Sequence, residues 1–153
     1  MKTEYQLKQI DQDQLFLMRA LLEVFGKVFN EMDIYVGKQP TAEYLRQLLA
    51  RDDFIALVAL KGTEVVAGLV AYELNKFEQE RSEVYIYDLA VASQHRRKGI
   101  ATALIEELKT MASHRGAYVI FVQSDTEPED KAAIALYSKF GVGEAVLHFD
   151  ITP

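Results

Sequence analysis

Hydrophobic and polar residues repeat with two different periods along this chain, and these periods predict a mixture of strands and helices. Tyr5–Ile10 alternates between apolar and polar side chains and predicts a short first strand. The apolar residues from Leu15 to Phe29 recur at helical spacing and predict a helix, which Asp11 or Asp13 would cap. The apolar stripe of this helix is wide and favours a core position, although a part-exposed stripe could instead form a dimer contact or a substrate wall.

The middle of the first half contains a polar segment, a second helix and a hairpin. Asn30–Pro40 is polar and predicts a loop, and Thr41 is the expected N-cap of the helix that follows. Phe54–Leu60 and Val65–Leu74 are then predicted to be two strands joined as a hairpin. Gly68 lies inside the second of these strands and indicates either a bulge or close packing.

The second half of the chain alternates strands with helices. The predicted strands are Val84–Val91, Ala117–Val122 and Ala145–Ile151, and the predicted helices run from about Arg97 to His114 and from Pro128 to Gly141. The first two strands are short apolar runs of the kind expected for buried strands, and the first suits burial on both faces. Because a helix connects them, they should be parallel neighbours, whereas the earlier hairpin is antiparallel. The predicted fold class is therefore α/β, with a mixed, strongly twisted central sheet flanked by helices on both faces.

Length, charge and composition narrow the class of protein. The length of 153 residues suits one domain, residues 1–153. The chain has no cysteine, and its three histidines show no metal-ligand spacing, so we expect no metal site. The net charge of −6 disfavours nucleic acid and suits a cationic partner, although such acidity also simply aids solubility. No apolar run resembles a signal peptide or a membrane span, so we expect a cytoplasmic protein with no membrane partner.

One carboxylate and one basic turn are the candidate chemical features. Asp88 lies in the apolar central strand, where a buried charge without a partner is costly, so its presence requires an explanation. That strand is followed by the basic turn Arg96–Lys98, by Gly99 and by a predicted helix. Free N–H groups at a helix start can hold a phosphate, and a glycine lets the backbone approach an anion closely. A solvated basic turn is the alternative explanation for the cations.

Two short motifs resemble those of the GNAT superfamily of N-acetyltransferases. Arg96-x-x-Gly99-x-Ala101 is similar to the superfamily's acetyl-CoA signature, and Ala133–Gly141 resembles its C-terminal A-x-x-L-Y-x-K-x-G element. The usual phenylalanine is replaced by Val142. Longer blocks resemble the type I aminoglycoside 3-N-acetyltransferases, which modify gentamicin, and the similarity extends over most of the chain from about Met18 onward. These blocks are Lys76–Gln79, Ser82–Val91, His95–Arg97, Gly99–Ile105, Gly116–Ile120 and His148–Ile151.

The resemblance implies an acetyltransferase fold, acetyl-CoA as co-substrate and acetylation of the 3-amino group of a polycationic aminoglycoside. The central strand would hold the pantetheine arm, and the basic turn and helix start would hold the diphosphate. The implied cofactor-binding residues are Leu89, Ala90, Val91, Arg96, Arg97, Lys98, Gly99, Ile100, Ala101 and Thr102. Tyr137 matches the superfamily tyrosine that protonates the leaving thiolate, and a core tyrosine is the alternative.

Asp88 is the expected general base, acting directly or through a water, with an anchor for a cation as the second role and a purely structural residue as the third. The expected acceptor-binding residues are Tyr35, Glu83, Asp88, Asp125 and Asp150. We also expect a homodimer. Two other functions stay open: acetylation of another small polycationic amine such as a polyamine, and a non-catalytic acyl-CoA-binding module. The presence of both Asp88 and Tyr137 argues against the second.

Overall fold

Five strands form one sheet in which sequence order is also spatial order. The structure is a computed structural model and describes residues 4–153. The strands are β1 (Gln6–Gln9), β2 (Phe54–Lys61), β3 (Glu64–Asn75), β4 (Ser82–Val91) and β5 (Ala117–Val122). Neighbours from β1 to β4 pair antiparallel, and β4 pairs with β5 in parallel. The predicted mixed α/β sheet is therefore confirmed, including the hairpin and the parallel pair.

Helices cover both faces of this sheet, as predicted. The helices packed with the sheet in residues 4–123 are α1 (Leu15–Val28), α2 (Met32–Tyr35), α3 (Ala42–Ala50) and α4 (Ile100–His114). A further helix, α5 (Lys131–Ser138), follows later in the chain. One apolar cluster joins α1 and α3 to one face of the sheet, with Leu21 and Phe25 fully buried. A second cluster joins α4 to the other face, with Leu104 and Leu108 fully buried. The core position predicted for the stripe of α1 is confirmed.

Gly68 marks close packing between α1 and the sheet. A Cβ atom at this position would collide with the side chain of Leu21 and would lie 2.6 Å from the carbonyl oxygen of Leu57. The register shifts of β3 lie elsewhere in the strand. Of the two explanations that the sequence left open, close packing is the correct one.

Two local predictions in the first half are wrong. Neither Asp11 nor Asp13 caps α1, because Asp11 instead accepts a hydrogen bond from the backbone N–H of Asp13 in the preceding turn, and the N-cap position is occupied by Gln14. The predicted loop 30–40 contains the one-turn helix α2. By contrast, Thr41 caps α3 as predicted, since its hydroxyl accepts a hydrogen bond from the N–H of Tyr44.

The chain divides into two compact units, Met1–Gln123 and Ser124–Pro153. In the second unit, a 3₁₀ turn at Pro128–Asp130 leads into α5, so the predicted helix after Pro128 is confirmed, although it ends at Ser138. The predicted strand Ala145–Ile151 is wrong: residues 142–153 have no regular secondary structure. A strand needs a neighbour for its backbone hydrogen bonds, and residues 124–153 contain no other strand. The single-domain assignment stays a prediction.

Candidate active site

A β-bulge in β4 organises the candidate site. Val70 of β3 lies opposite Asp88, and the next β3 residue, Ala71, lies opposite Ile86. Tyr87 therefore has no partner residue on β3 and is the additional residue of a bulge. A bulge changes which side chains face each side of the sheet, so the strand before Tyr87 and the strand after it follow different alternations.

Burial in β4 shows the effect of this bulge. Before it, Val84 and Ile86 belong to the apolar cluster on the α4 face. After it, Ala90 belongs to the cluster on the α1 face, and Leu89 packs against the α4 cluster. Asp88 has the same alternation as Ala90 and therefore faces α1 and α2. The sequence-based expectation that β4 is buried on both faces is wrong at Tyr87, which is 60% exposed.

Asp88 is half-buried and accepts a hydrogen bond from Tyr35. The Tyr35 hydroxyl lies 2.9 Å from Oδ2 of Asp88. Burial raises the pKa of the Asp88 carboxyl above its usual value; the hydrogen bond from Tyr35 opposes this rise and the nearby Glu31 carboxylate adds to it. Burial and donation to Asp88 also raise the pKa of Tyr35, so this phenol remains a donor. Tyr35 packs against Phe25 and Phe29 at centroid distances of 5.9 and 5.8 Å.

The backbone beside Asp88 is open on one edge. β4 pairs with β5 only from Ser82 to Ile86, whereas its pairing with β3 continues to Val91. Within residues 4–153, no strand pairs with Leu89–Val91 on the β5 side. The pairing of β4 with β5 therefore ends at Ile86, before Asp88, and the unpaired edge of β4 beyond it offers backbone donors and acceptors to an amide-containing ligand.

The turn after β4 has the backbone shape of an anion-binding site. Gly99 has a φ of 77° and Arg97 a φ of 61°, so both lie in the left-handed region. These angles place the start of α4 at Ile100, so the predicted start near Arg97 is wrong. The N–H groups of Ile100, Ala101 and Thr102 precede the first helical hydrogen bond, which Ala103 donates to Gly99. Free N–H groups, a positive helix end and a glycine are the combination that binds phosphate.

Two side-chain contacts hold this turn to the sheet. The Tyr5 hydroxyl and Nδ1 of His95 are 3.0 Å apart, and their rings meet edge to face. Nε of Arg96 donates to the carbonyl of Val91 at 3.4 Å. The turn is therefore attached to β4 and to the segment before β1, while Arg97, Lys98 and Gly99 remain exposed.

The remaining predicted site residues are placed differently. Glu83 lies near the start of β4, where it is 3.6 Å from Nζ of Lys76 and accepts a hydrogen bond from Tyr118. Asp125, Tyr137 and Asp150 belong to the second unit. Asp150 is exposed and pairs with His148 at 2.9 Å. Within the first unit, the structure thus brings Asp88 and Tyr35 into contact, and Glu83 contacts Lys76 and Tyr118 instead.

A group of aromatic side chains on the α1 face of the sheet was not predicted from the sequence. Phe54, Tyr72, Tyr85 and Phe121 lie directly opposite one another across β2, β3, β4 and β5. We call these four residues the aromatic row. Each of them lies in an apolar strand, where a sequence pattern predicts core packing, and only the i, i+2 spacing of Tyr85 and Tyr87 indicates an aromatic face.

The family assignment rests on a match along most of the chain. Residues 17–142 match the family described as acetyltransferase (GNAT) family. The chain belongs to the GNAT family. Its mixed sheet, its open β4 edge and its glycine-containing turn before α4 are therefore features of an acetyltransferase domain. The GNAT resemblance of the two short sequence motifs is confirmed.

Solved structures and one curated protein are similar to this GNAT-family chain. An aminoglycoside acetyltransferase from an uncultured soil metagenomic sample is 59% identical to this chain, with a TM-score of 0.97. The match covers 100% of this chain and 99% of that protein. Another from such a sample, in complex with sisomicin, is 28% identical, with a TM-score of 0.89 over 99% and 97%. An uncharacterized N-acetyltransferase of Methanocaldococcus jannaschii is 28% identical over 92% of this chain, which spans 61% of that relative's length.

Neither a metal cluster nor a membrane span occurs in the described part of the chain. In residues 4–153, no group of three or more His, Cys, Asp or Glu side chains has the arrangement needed to hold a metal ion. In the same residues, no helix has the length and apolar character needed to cross a membrane.

Proposed function

We propose that this chain transfers the acetyl group of acetyl-CoA to the 3-amino group of an aminoglycoside such as gentamicin. The observation that carries the proposal is the position of Asp88, a half-buried carboxylate with a raised pKa beside the open edge of β4. The choice of acceptor is supported by the 59% identity to an aminoglycoside acetyltransferase. The choice of the 3-amino position rests on the sequence resemblance of the blocks around β4.

The open edge and the turn fit acetyl-CoA. The backbone of Leu89–Val91 would hold the amide-containing pantetheine arm, and the N–H groups of residues 99–102 would hold the diphosphate. Arg96, Arg97 and Lys98 would add positive charge. When bound, acetyl-CoA supplies the acetyl group as a reactive thioester. Gly99 has a left-handed φ that would strain any residue with a side chain. Because glycine has none, the diphosphate could approach the backbone closely at this position.

Asp88 would act as the base that removes a proton from the acceptor amine. Tyr35 donates to Oδ2, which leaves Oδ1 available to an incoming ammonium or to a bridging water. A carboxyl with a raised pKa is a better proton acceptor than an ordinary aspartate, and a positioned base contributes about 10²–10⁴ in rate. Tyr35 would then orient and stabilise the carboxylate.

The roles of the other expected groups rest on the sequence. Tyr137 would donate a proton to the leaving thiolate, a role supported by the resemblance of Ala133–Gly141 to the superfamily's C-terminal element. Asp125 and Asp150, together with Glu83, would attract the polycationic acceptor, as the net charge of −6 would also do.

A polyamine is the second candidate acceptor, because charge alone would favour any small polycation. The position of Asp88 does not distinguish a polyamine from an aminoglycoside. The third possibility, a non-catalytic acyl-CoA-binding module, requires neither a base nor a leaving-group donor. It is disfavoured because Asp88 occupies a costly half-buried position that simple ligand binding would not require.

One assay separates these functions. Thiol release from acetyl-CoA would be followed with gentamicin, sisomicin, spermidine and lysine peptides, and each product would be located by mass spectrometry and NMR. We expect 3-N-acetylated gentamicin. Asp88→Asn should lower kcat about 10²–10⁴-fold and remove the acidic limb of the pH profile. Acetylation of polyamines alone would replace the proposed acceptor, and binding of acetyl-CoA without turnover would support the module. If kcat and the acidic limb survive in Asp88→Asn while KM rises, Asp88 is an anchor for the cation.

We further propose a cytoplasmic homodimer. Support for the dimer comes from residues 142–153, where Leu147, Phe149 and Ile151 alternate with polar residues and are exposed. Such a pattern is typical of a strand that gains a partner. Sedimentation or light scattering would give the mass: a monomer at micromolar concentration contradicts the proposal.

A further inference from the structure

The aromatic row is continuous across four strands. Tyr72 packs against Phe54 with ring centroids 5.3 Å apart, and Tyr85 stacks on Phe121 at 4.6 Å with an interplanar angle of 3°. Tyr87, the bulge residue, connects the two pairs: its ring meets Tyr72 at 5.9 Å and Tyr85 at 5.6 Å, edge to face in both cases. The row and Tyr87 thus form one aromatic surface on the side of the sheet where Asp88 lies.

This surface opens toward the solvent along its length. Phe54, at the β2 end, is 5% exposed and belongs to the core. Tyr72 and Tyr85 are partly exposed, and Tyr87 is 60% exposed. Tyr87 is thus the most exposed ring of the surface, and it is the bulge residue that directly precedes Asp88. The exposed part of the aromatic surface therefore adjoins the carboxylate.

The charges around the surface suit a cationic ligand. The face of an aromatic ring is the negative end of its quadrupole and attracts ammonium groups. Asp88 lies next to Tyr87 in the chain, and the Glu31 carboxylate is close enough to raise the pKa of Asp88. An amino sugar presents C–H groups on its ring faces and ammonium groups at its edges, so it can stack on a phenol ring while an amine reaches a carboxylate.

We propose that Tyr87, with Tyr85 and Tyr72 beneath it, is a stacking platform for the ring of the acceptor that carries the acetylated amine. The proposal rests on the proposed aminoglycoside acetylation and adds a recognition site to it. Stacking at Tyr87 orients a ring, so it favours cyclic amines over linear ones. A linear polyamine can place an ammonium group over the ring but has no ring face to stack on it, so it gains less from the platform than a cyclic amine.

Substitutions at Tyr87 test the platform. Tyr87→Ala should raise KM for gentamicin about 5- to 30-fold, the loss expected for one partly desolvated cation–π contact, and Tyr87→Phe should stay near the parent. Tyr87→Leu keeps apolar bulk without a π face and should resemble Tyr87→Ala. KM for acetyl-CoA should not change in any of them. Phe77→Ala is the control, because Phe77 is an aromatic residue in the β3–β4 connection that is 99% exposed, against 60% for Tyr87.

A fluorescence measurement gives a readout besides activity. The chain contains no tryptophan, so Tyr87→Trp introduces a single reporter into the platform, and Phe77→Trp is its control. Titration with gentamicin should change the emission of Tyr87→Trp saturably and leave that of Phe77→Trp unchanged. This variant also decides the matter should Tyr87→Ala fail to fold, because it keeps an aromatic ring.

The outcomes separate the two proposals. A parent enzyme that acetylates gentamicin while Tyr87→Ala and Tyr87→Leu keep its KM, or raise KM for acetyl-CoA equally, overturns the platform alone. An unchanged emission of Tyr87→Trp at saturating gentamicin does the same. A parent that acetylates no aminoglycoside overturns the proposed function and the platform with it.

Discussion

Asp88 is a half-buried carboxylate whose hydrogen-bond partner, Tyr35, is neutral. A neutral donor offsets less of the cost of burying a charge than a cation would. The proposed reaction explains this arrangement: a cationic partner would lower the pKa of Asp88 and would compete with the ammonium group of the substrate. Asp88 should therefore reduce the stability of the folded protein in exchange for reactivity.

The first prediction concerns this stability cost. The pKa of Asp88 is raised in the folded state, so the native protein binds more protons than the unfolded chain between the usual and the raised value. Stability should therefore fall as the pH rises through that interval. Asp88→Asn should raise Tm relative to the parent at neutral pH, and the difference should vanish below the usual pKa of an aspartate. Thermal unfolding across pH measures this, with the exposed Asp13→Asn as control. A gain that persists at low pH would contradict the account.

The second prediction concerns Tyr35. Its hydrogen bond stabilises the carboxylate form of Asp88 and lowers the pKa of that group. Removing the hydroxyl in Tyr35→Phe should move the acidic limb of kcat/KM to higher pH, while the ring contacts with Phe25 and Phe29 remain. If Tyr35 only contacted the acceptor, KM would rise and the limb would stay in place.

At the scale of an element, the contact between α1 and β3 depends on one glycine. Gly68 lets Leu21 reach the backbone of the sheet, and a methyl group would meet the carbonyl oxygen of Leu57 at 2.6 Å. We predict that Gly68→Ala lowers the free energy of unfolding by about 1–3 kcal/mol, the usual cost of overpacking. Urea denaturation measures it, and Gly143→Ala, with no atom within 4 Å of the added carbon, is the control. Equal stabilities would show that α1 can shift without cost.

Gly99, in the turn before α4, can be compared with Gly62, in the turn between β2 and β3. Gly99 and Gly62 both have left-handed φ angles, 77° and 61°, and both have open space where a side chain would extend. Replacement by alanine should cost each about 1–2 kcal/mol of stability. Only Gly99→Ala should also raise KM for acetyl-CoA, because it distorts the proposed phosphate-binding turn. A similar KM in both variants would remove residues 96–102 from the cofactor site.

An element can be predicted from the sequence where residues close to it in the chain determine its structure. Thr41 capped α3 and Ala117–Val122 formed a strand with the predicted bounds, because capping and strand patterns are set by neighbouring residues. The bulge at Tyr87 depends on its pairing with β3, and the contact of Tyr35 with Asp88 spans 53 positions, so neither leaves a local signal. The strand predicted at Ala145–Ile151 had the right pattern but lacked a partner.

At the scale of the whole molecule, charge should affect the two proposed substrates in opposite directions. The net charge of −6 attracts a polycationic aminoglycoside and repels the anionic acetyl-CoA. Raising KCl from about 0.05 M to about 0.5 M shortens the screening length severalfold, so kcat/KM for gentamicin should fall while that for acetyl-CoA should hold or rise. Initial rates with each substrate varied in turn measure both. Parallel changes would mean that the overall field has no part in recognition.

Because β4 contains a bulge, the face to which each of its side chains points depends on the number of residues in the strand. Side chains on a strand follow a strict two-residue phase, and the additional Tyr87 shifts that phase by one position just before Asp88. Deletion of the Tyr87 codon would remove the bulge and leave Ile86 and Asp88 as successive residues of a regular strand, with Ile86 still facing α4 and Asp88 still facing α1. Deletion of a paired residue such as Val84 would instead act as a frameshift acts on codons, because the side chains on one side of the gap would point to the opposite face of the sheet. A screen of single-codon deletions along β4 would therefore separate the effect of side-chain direction from the effect of losing a particular residue.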